Sequence, residues 1–311
     1  MNAGTIGEDA LIRRLAKLLP GRADVVAGIG DDCAVVRTGR RDAFDLLLKS
    51  DPVIEGVHFT QTAPAEAIGH KALGRVLSDI AAMGGEPLWG LIDLVAPASV
   101  PVKRLEGIYR GLATLARRQG VAIVGGDTSR GKTLEIHVFA VGRIPRGRAV
   151  LRSGGKPGDV LYVTGSLGGS GQERHLRFEP RLAEGQWLAA GKWATAMMDV
   201  SDGLATDLRR LTAACGTGAV IEAARIPIST VAKRLKDRRT PLEHALSDGE
   251  DFELLFTVSL RKAAAFETAW RRQFRLACNR IGELTEKSGR LELETRGIRR
   301  VLKVRGYEHF T

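Results

Sequence analysis

The residues LSDIAAMGG, positions 77–85, place an aspartate in an otherwise apolar stretch that finishes on two glycines. Apolar residues recur every four positions through this region, at Ile68, Ala72, Val76 and Ile80. That period predicts an α-helix over residues 65–83, and the two glycines predict its end. Asp79 is therefore an acidic group within an apolar helix. Arg75, one turn earlier, is one candidate partner for it.

Helices and strands alternate on both sides of this helix. The pattern Thr5-Ile6-Gly7-Glu8 is typical of a capping box and predicts a helix over residues 5–19. Periodicity predicts a second long helix over 102–119, and strands over 44–50, 121–124 and 133–144.

A domain boundary is predicted within residues 145–158, which are rich in Gly, Pro and Arg. Further strands and helices are predicted beyond it, including a helix over 204–215. We expect an α/β fold (α+β mixed) in two domains, residues 1–148 and residues 149–311.

Charge and composition restrict the class of protein. The 311 residues carry 47 Lys and Arg against 36 Asp and Glu, a net charge of +11. These basic residues are dispersed in pairs, and only 5% of residues are aromatic, so few rings are available to stack on nucleic-acid bases. We expect a solvated basic surface; a basic nucleic-acid-binding protein is the alternative from another class.

The sequence also predicts a cytoplasmic protein. Its first twenty residues lack the unbroken apolar stretch of a signal peptide, and no apolar run is long enough to cross a bilayer. The three cysteines fit no zinc-binding spacing, and a sparse, odd number of thiols is typical of a reducing compartment.

Residues 126–133, GDTSRGKT, match the P-loop pattern letter for letter. A P-loop must open a helix, because the helix N-terminus cradles the phosphates. The residues that follow, LEIHVFAV, alternate as a strand does. We therefore reject a P-loop and predict that the second half of the motif is a hairpin turn.

The informative pattern is acidic residues beside Gly, Ser or Thr at the ends of apolar strands. It occurs in five places: Gly30-Asp31-Asp32, Ser50-Asp51-Pro52, Gly125-Gly126-Asp127-Thr128, Asp199-Val200-Ser201-Asp202-Gly203 and Gly249-Glu250-Asp251. Each acid alone is explained by a turn or a cap. Asp202, for example, is placed to cap the next helix, and Asp251 to begin a strand.

Together the acids predict a different chemistry. Carboxylates that converge repel one another, by about 4 kcal/mol for two charges 4 Å apart at an effective dielectric constant near 20. Such a group requires bound cations or raised pKa values. Carboxylates with hydroxyls and water favour hard ions such as Mg²⁺, which also binds substrate phosphates. The residues themselves therefore indicate a site for Mg²⁺ and a polyphosphate.

The acidic segments, in this order, resemble those of the thiamine-monophosphate kinase family. That family belongs to the superfamily that includes aminoimidazole ribonucleotide synthetase. The resemblance spans nearly the whole chain and rests on GIGDDCA (28–34), SDPVIEGVHF (50–59), LSDIAAMG (77–84), GGDT (125–128), RSGGKPGD (152–159), DVSDGL (199–204), GEDFELLF (249–256) and GYEHF (306–310).

The resemblance implies an enzyme that moves the γ-phosphoryl group of ATP directly onto thiamine monophosphate, with several Mg²⁺ ions, as the last step of thiamine diphosphate synthesis. The acceptor is already an anionic phosphate oxygen, so positioning and charge neutralisation are the main demands. It also implies a two-domain, aminoimidazole ribonucleotide synthetase-like fold. In that fold the N-terminal domains of a homodimer pair into a β-barrel, and the active site lies between the domains.

Site residues follow from the matching motifs. The implied metal ligands are Asp32, Ser50, Asp51, Asp79, Asp127, Asp199 and Asp202, with Asp31 secondary. The implied catalytic residues are Asp51, Asp127, Asp202 and Arg152. The implied nucleotide contacts are Tyr109, Gly126, Asp127, Arg152 and Ser201, and the implied thiamine phosphate contacts are His58, Glu250 and Tyr307.

Simpler roles remain open for five of these residues. Tyr109 is equally explained as a half-buried aromatic residue and Tyr307 as a packing residue at the C-terminus. His58 is also explained as an edge-strand residue, Glu250 as a turn cap, and Arg152 as a surface arginine.

Two departures from the family pattern bear on the site. Lys49 stands where the family often has Ser or Thr, and a protonated lysine cannot bind Mg²⁺. We therefore expect one metal site fewer, with the ammonium group replacing its charge. The chain after Gly171 is also short where the family usually has an extra helix.

Other enzymes of the superfamily are the nearest alternatives, namely the aminoimidazole ribonucleotide synthetase-like and selenophosphate synthetase-like enzymes. Selenophosphate synthetases carry a reactive Cys or selenocysteine near the N-terminus. Cys33, inside GDDCA, is a poor match for that residue.

Overall fold

A computed structural model describes residues 3–172 and 174–302 of the chain. The predicted segment 306–310, with Tyr307, lies outside these residues. Within them, all three cysteines are free thiols, and no helix has the length and apolar character needed to cross a membrane.

The first half of the chain folds as a sheet covered on one face by two long helices. Its helices are α1 (Ala3–Ile6), α2 (Glu8–Ala16), α3 (Ala65–Ala82) and α4 (Val102–Gln119). Its strands are β1 (Val25–Ala27), β2 (Ala34–Val36), β3 (Phe44–Ile54), β4 (Glu86–Ala96), β5 (Ala122–Arg130) and β6 (Glu135–Pro145). Within the described chain this sheet has six strands, in the order β1-β2-β3-β6-β4-β5.

Helix α3 lies at the centre of this half. Fourteen of its eighteen residues are buried, because it packs on the sheet, on α4 and on the second half of the chain. Its contact with α4 depends on glycines: a Cβ on Gly69 would lie 1.8 Å from the carbonyl oxygen of Ile108, and one on Gly111 the same distance from that of Glu66. The two helix backbones therefore approach each other closely.

The structure corrects two predictions for this half and adds a strand. A break at Gly7 separates α1 from α2, and Gly7 rather than Thr5 precedes α2, so the predicted capping box is wrong. β4 is an eleven-residue strand that was not predicted. β5 and β6 both pair with β4, on opposite sides, so the turn between them is not a hairpin. A strand, not a helix, does follow the P-loop-like residues.

The second half is a larger mixed sheet with helices. Its helices are α5 (Leu182–Ala190), α6 (Leu204–Cys215), α7 (Thr230–Arg234), α8 (Pro241–Ser247) and α9 (Leu260–Gln273), with 3₁₀ turns at Arg174–Leu176 and Ala223–Arg225. Its strands are β7 (Val160–Thr164), β8 (Ala194–Asp199), β9 (Gly218–Glu222), β10 (Leu254–Val258), β11 (Cys278–Thr285), β12 (Leu291–Thr295) and β13 (Ile298–Val301). Within the described residues the sheet order is β13-β12-β9-β11-β7-β10-β8.

The two halves share apolar core. One continuous cluster of buried side chains runs from Leu47 and Ile80 in the first half to Leu188, Met197 and Phe256 in the second. A separate cluster lies under α6 on the other side of the second sheet. Burial of this shared surface fixes the two halves against each other, because removing apolar area from water stabilises the packed state.

Candidate functional site

A cavity of about 770 Å³ lies between the two halves. It opens beside β3. Beyond Leu48, the residues of β3 have no partner in β2, which leaves this part of the strand edge free. The turn that contains Asp31 and Asp32 lies at this free edge. Six of the seven predicted metal ligands line the cavity, namely Asp32, Ser50, Asp51, Asp79, Asp199 and Asp202. A cavity of similar size, about 740 Å³, lies beside α9 and is lined by none of the predicted site residues.

Three buried carboxylates converge at the floor of this cavity. Asp32 comes from the turn after β1, Asp79 from α3 and Asp199 from the end of β8. One oxygen from each lies within 4.8 Å of the others. The Ser78 hydroxyl donates a 2.6 Å hydrogen bond to Asp199. Residues from three distant parts of the sequence thus form one acidic group.

Burial and mutual repulsion raise the pKa values of this group. Burial and the nearby charge of Asp32 raise the pKa of Asp199 to about 7. Burial also raises the pKa of Asp79 well above its usual range, against the opposing effect of Lys49. Burial and mutual repulsion thus disfavour the charged forms of Asp79 and Asp199, and a bound cation would oppose this effect.

The same group has the donors that a hard cation requires. Asp32 Oδ2 is buried and has no hydrogen-bond partner among the described residues. A buried, unpaired carboxylate oxygen is costly unless a ligand completes it. Several carboxylate oxygens within 4.8 Å of one another, in a cavity open to solvent, are the ligands that Mg²⁺ takes in proteins.

Lys49 lies inside the acidic group. Its ammonium nitrogen is 3.2 Å from Asp79 Oδ2 and 3.5 Å from Asp51 Oδ1. Burial lowers the pKa of Lys49, but Asp79 and Asp51 outweigh burial and raise the pKa above its usual value. The ion pair of Asp79 is thus with Lys49. Arg75, the candidate partner from the sequence, instead contacts Asp51 and Glu250.

Arg152 connects the second half to the acidic turn of the first. Its Nη2 donates a 2.6 Å hydrogen bond to Asp32 Oδ1, and its backbone amide donates to Asp31 at 3.1 Å. Burial, together with the charge of Asp32, raises the pKa of Asp31 to about 6. With its side chain only 18% exposed and paired with Asp32, Arg152 is not an ordinary surface arginine.

Asp202 and Ser201 lie on the second-half side of the same cavity. Asp202 forms a close ion pair with Arg210. The backbone amides of both residues donate to Asp207 Oδ2, at 3.0 Å from Ser201 and 2.9 Å from Asp202. The residue that precedes α6 is Gly203, and no side chain caps the helix, so Asp202 does not have the capping role considered for it.

A second polar cluster adjoins the acidic group. Lys71, which is completely buried on α3, donates to the carbonyl oxygen of His58 at 2.6 Å and lies 2.6 Å from Glu250 Oε1. His175 Nδ1 lies 2.9 Å from Glu250 Oε2 and 2.6 Å from the Lys71 ammonium. We call Lys71, His58, His175 and Glu250 the lysine cluster.

The lysine cluster favours a charged Glu250. Burial alone would raise the pKa of Glu250, but its contacts with His175 and Lys71 lower it to about 2. Burial disfavours the charged form of Lys71 and lowers its pKa to about 8, although the attraction of Glu250 opposes this shift. Both groups are therefore ionised at neutral pH.

The site residues predicted from the sequence did not include Lys71, His175 or Arg75. The signal for two of them was present: Lys71 and Arg75 are charged residues in a helix whose other positions are mostly apolar. Nothing in the sequence places His175, in a 3₁₀ turn more than a hundred residues away, beside them.

Glu250 is held in an uncommon backbone conformation. It has φ of 53° and Phe252 has φ of 50°, both in the left-handed region that non-glycine residues avoid. Gly249 before them has φ of 72°. The backbone amide of Glu250 donates to the Ser201 carbonyl at 2.7 Å, which fixes this segment against the acidic loop.

Three predicted residues lie away from the cavity within one chain. Asp127 and Gly126 are exposed on β5, an edge strand, and Tyr109 on α4 is 37% exposed. β5 is three strands from Asp51, about 14 Å at the usual spacing. The register pairs Asp127 with Asp93 and Gly126 with the buried Ile92, so Asp127 faces away from α3.

Comparison with known proteins adds an independent finding. Residues 30–144 match the family model of the AIR synthase related protein N-terminal domain, and residues 156–294 match that of the C-terminal domain.

Individual relatives match over most of their length. The thiamine-monophosphate kinase of Salmonella typhimurium is 36% identical, with 98% of each chain covered. That of Rhodopirellula baltica is 37% identical, covering 90% of this chain and 89% of its own. The solved structure of AaThiL complexed with AMPPCP and TMP has a TM-score of 0.85 and 31% identity, with 99% of each chain covered.

Proposed function

The chain belongs to the thiamine-monophosphate kinase family, within the AIR synthase related proteins, and from that premise we propose that it transfers the γ-phosphoryl group of ATP to thiamine monophosphate. The products are ADP and thiamine diphosphate. The observation that carries the proposal is the convergence of Asp32, Asp79 and Asp199 on one cavity, beside the lysine cluster. AaThiL, at 31% identity, is complexed with AMPPCP and TMP.

The acidic group is proposed to hold Mg²⁺ with the nucleotide phosphates. Asp32, Asp79 and Asp199 supply the buried oxygens, and Ser50, Asp51 and Asp202 lie on the same cavity. The bound ions would neutralise charge on the transferring phosphoryl group. Arg152, in the second half, donates a hydrogen bond to Asp32 and so holds the acidic turn of the first half against the second half. Its guanidinium group would also present a positive charge to the nucleotide phosphates.

The lysine cluster is proposed to receive the thiamine phosphate. His58 and Glu250 are the predicted substrate contacts, and Lys71 holds both in place through hydrogen bonds of 2.6 Å. The Glu250 carboxylate, charged at neutral pH, suits a cationic thiazolium ring. The acceptor phosphate needs no general base, because its oxygen is already anionic, so these residues orient rather than deprotonate.

A homodimer explains the position of Asp127. β5 is an exposed edge strand, and large apolar side chains are exposed beside it: Trp89 is 47% exposed and Val124 is 61% exposed. Such a surface favours association. We expect a second copy to cover it and to bring its own Asp127, Gly126 and Tyr109 to the nucleotide bound by the first copy.

Mixed dimers test this arrangement. Chains carrying Asp51→Asn are combined with chains carrying Asp127→Asn. If each site takes Asp51 from one chain and Asp127 from the other, the mixed dimer contains one intact site and regains about half of the wild-type activity per dimer. Mixed dimers as inactive as either parent would show that both residues act within one chain.

The kinase reaction itself is tested by ADP release coupled to a reporter reaction. We expect turnover that requires both thiamine monophosphate and Mg²⁺, and a loss of at least about 100-fold in Asp51→Asn. Arg143→Gln, at an exposed ion pair with Glu86, is the control. Turnover with an aminoimidazole precursor or selenide instead of thiamine monophosphate would assign the chain to another activity of the superfamily.

A further inference from the structure

Helix α3 carries three charged residues in a row along one side. Lys71, Arg75 and Asp79 are spaced four residues apart, which places each about one turn, or about 6 Å, from the next. Lys71 belongs to the lysine cluster, and Asp79 belongs to the acidic group. Arg75 lies between them. The helix thus joins the proposed acceptor site to the proposed nucleotide site.

Arg75 makes only loose contacts with both groups. Its Nε is 3.8 Å from Asp51 Oδ2, and its Nη1 is 3.8 Å from Glu250 Oε1. Both distances exceed that of a hydrogen bond. The side chain is 15% exposed, and among the described residues its Nε is buried without an acceptor. A buried guanidinium donor without an acceptor is costly, so a bound oxygen would satisfy it.

The neighbouring cations already hold protein oxygens. Lys71 lies within 2.6 Å of His58 O and of Glu250. Arg152 donates to Asp32 at 2.6 Å from Nη2, and among the described residues only its Nε lacks an acceptor, on the nucleotide side of the acidic group. Arg75 lines the cavity and retains donors directed at neither carboxylate with good geometry. It is thus placed to bind a ligand anion that lies between the acidic group and the lysine cluster.

We propose that Arg75 bridges the acceptor phosphate and the transferring phosphoryl group; this inference rests on the kinase function proposed above. In the step, an oxygen of the acceptor monophosphate forms a bond to the γ-phosphorus of ATP. The bond from that phosphorus to the β,γ-bridging oxygen breaks, and its electron pair remains on ADP. Total charge is conserved and no proton moves. The guanidinium fork donates to one oxygen on each side and offsets their repulsion.

Arg75→Gln tests the proposal, with Arg143→Gln, at the exposed ion pair with Glu86 and outside this cavity, as the control. The measurements are kcat and KM for thiamine monophosphate, and the Kd of a non-hydrolysable ATP analogue with Mg²⁺. We expect kcat to fall at least about 100-fold in Arg75→Gln, with Kd changed less than about threefold. Arg143→Gln is expected to keep kcat within about threefold of the wild type.

Arg75→Lys separates the bridging role from a structural one. It keeps the charge but loses the fork, so we expect a fold and melting temperature like those of the wild type and kcat at least about tenfold lower. Two results would overturn the bridging role but not the kinase function. One is a wild-type kcat in Arg75→Lys. The other is a loss of nucleotide affinity in Arg75→Gln as large as its loss of kcat. A wild-type protein without turnover on thiamine monophosphate overturns the kinase function and this inference with it.

Discussion

Lys49 is a permanent cation within a group of carboxylates. Its ammonium lies between Asp51 and Asp79, and these two charges raise its pKa, so it stays protonated across the range in which enzymes work. A lysine in this state offers no lone pair to a metal. One positive charge that would otherwise come from solution is therefore built into β3.

Replacing this lysine should change the number of bound metal ions. We expect Lys49→Ser, in complex with a non-hydrolysable nucleotide, to bind one Mg²⁺ more than the wild type, because the hydroxyl and the released Asp51 and Asp79 oxygens become available. Isothermal titration or metal analysis of the dialysed complex gives the count. An equal count in the two proteins would contradict the prediction.

The Lys71–Glu250 ion pair makes stability depend on pH. The pKa of Glu250 is about 2 in the folded chain, against an ordinary value of 4.5. The stabilisation from this group is present above about pH 4.5, where the unfolded chain is also ionised, and is lost as the pH falls towards 2. The difference between these pKa values corresponds to about 3 kcal/mol.

Glu250→Gln isolates that contribution. We expect the free-energy difference between wild type and variant to be about 2 kcal/mol smaller at pH 3 than at pH 6, as measured by urea unfolding. Glu86→Gln, which removes an exposed partner of Arg143, serves as the control and should show no comparable change. A difference that does not vary with pH would mean that Glu250 is not held in its charged form by the fold.

At the level of elements, the contact between α3 and α4 depends on the absence of side chains. A Cβ at Gly69 or Gly111 would lie 1.8 Å from a backbone carbonyl oxygen of the other helix. At Gly107 the nearest atom is the Cβ of Ala65, at 2.7 Å, which is a less severe overlap. Because α3 carries Lys71, Arg75 and Asp79, this contact also sets the position of the site.

Alanine substitutions distinguish the effect of this close helix contact on stability from the effect of helix propensity. Propensity alone predicts that Gly→Ala within a helix stabilises it by about 1 kcal/mol. We expect Gly111→Ala instead to destabilise the protein by at least about 2 kcal/mol, and Gly107→Ala, with the smaller overlap, to destabilise it less than Gly111→Ala does. Thermal or urea unfolding measures both variants, and stabilisation by Gly111→Ala would contradict the close approach.

Helices with a strong apolar repeat could be predicted from the sequence, but the pairing of the strands could not. The helices at 102–119 and 204–215 have the bounds that their apolar repeats predicted. β4 was missed because Trp89 and Leu91 are apolar although they face outward, so the polar–apolar alternation typical of a strand is weak in this segment. The hairpin turn predicted in the second half of residues 126–133 is wrong because no local sequence pattern shows that β4 lies between β5 and β6.

The chemistry of the site was predictable only in part for the same reason. Acids beside glycine indicated a cation site, but the contact of Asp199 with Asp32 spans 167 residues of chain, and only the packing of the halves brings them together. The lysine cluster was not predicted, because the proximity of Lys71 to His175 depends on that packing as well.

At the scale of the whole molecule, the larger of the two apolar clusters among the described residues extends through both halves. The largest apolar cluster crosses the predicted domain boundary, and Arg152–Asp32 and Ser78–Asp199 add polar bonds across it. Separating the halves would expose this apolar surface to water and break those bonds. Independent unfolding of either half is therefore unfavourable.

We expect a single cooperative unfolding transition. Trp89 is the only tryptophan of the first half, so in Trp89→Phe fluorescence reports on the second half alone, through Trp187, Trp193 and Trp270. Its unfolding curve in urea should coincide with that from far-ultraviolet circular dichroism, which reports on both halves. Two separated midpoints would show that the halves unfold independently.

The left-handed backbone at Glu250 and Phe252 affects which substitutions selection would accept at position 250. Each such residue costs about 1–2 kcal/mol relative to glycine, so Gly at position 250 would relieve backbone strain. It would also remove the ion pair with the buried Lys71, whose contribution to stability is larger than the strain. Selection for heat tolerance and selection for turnover therefore both retain Glu250, and a laboratory population evolved for thermal survival alone should keep it.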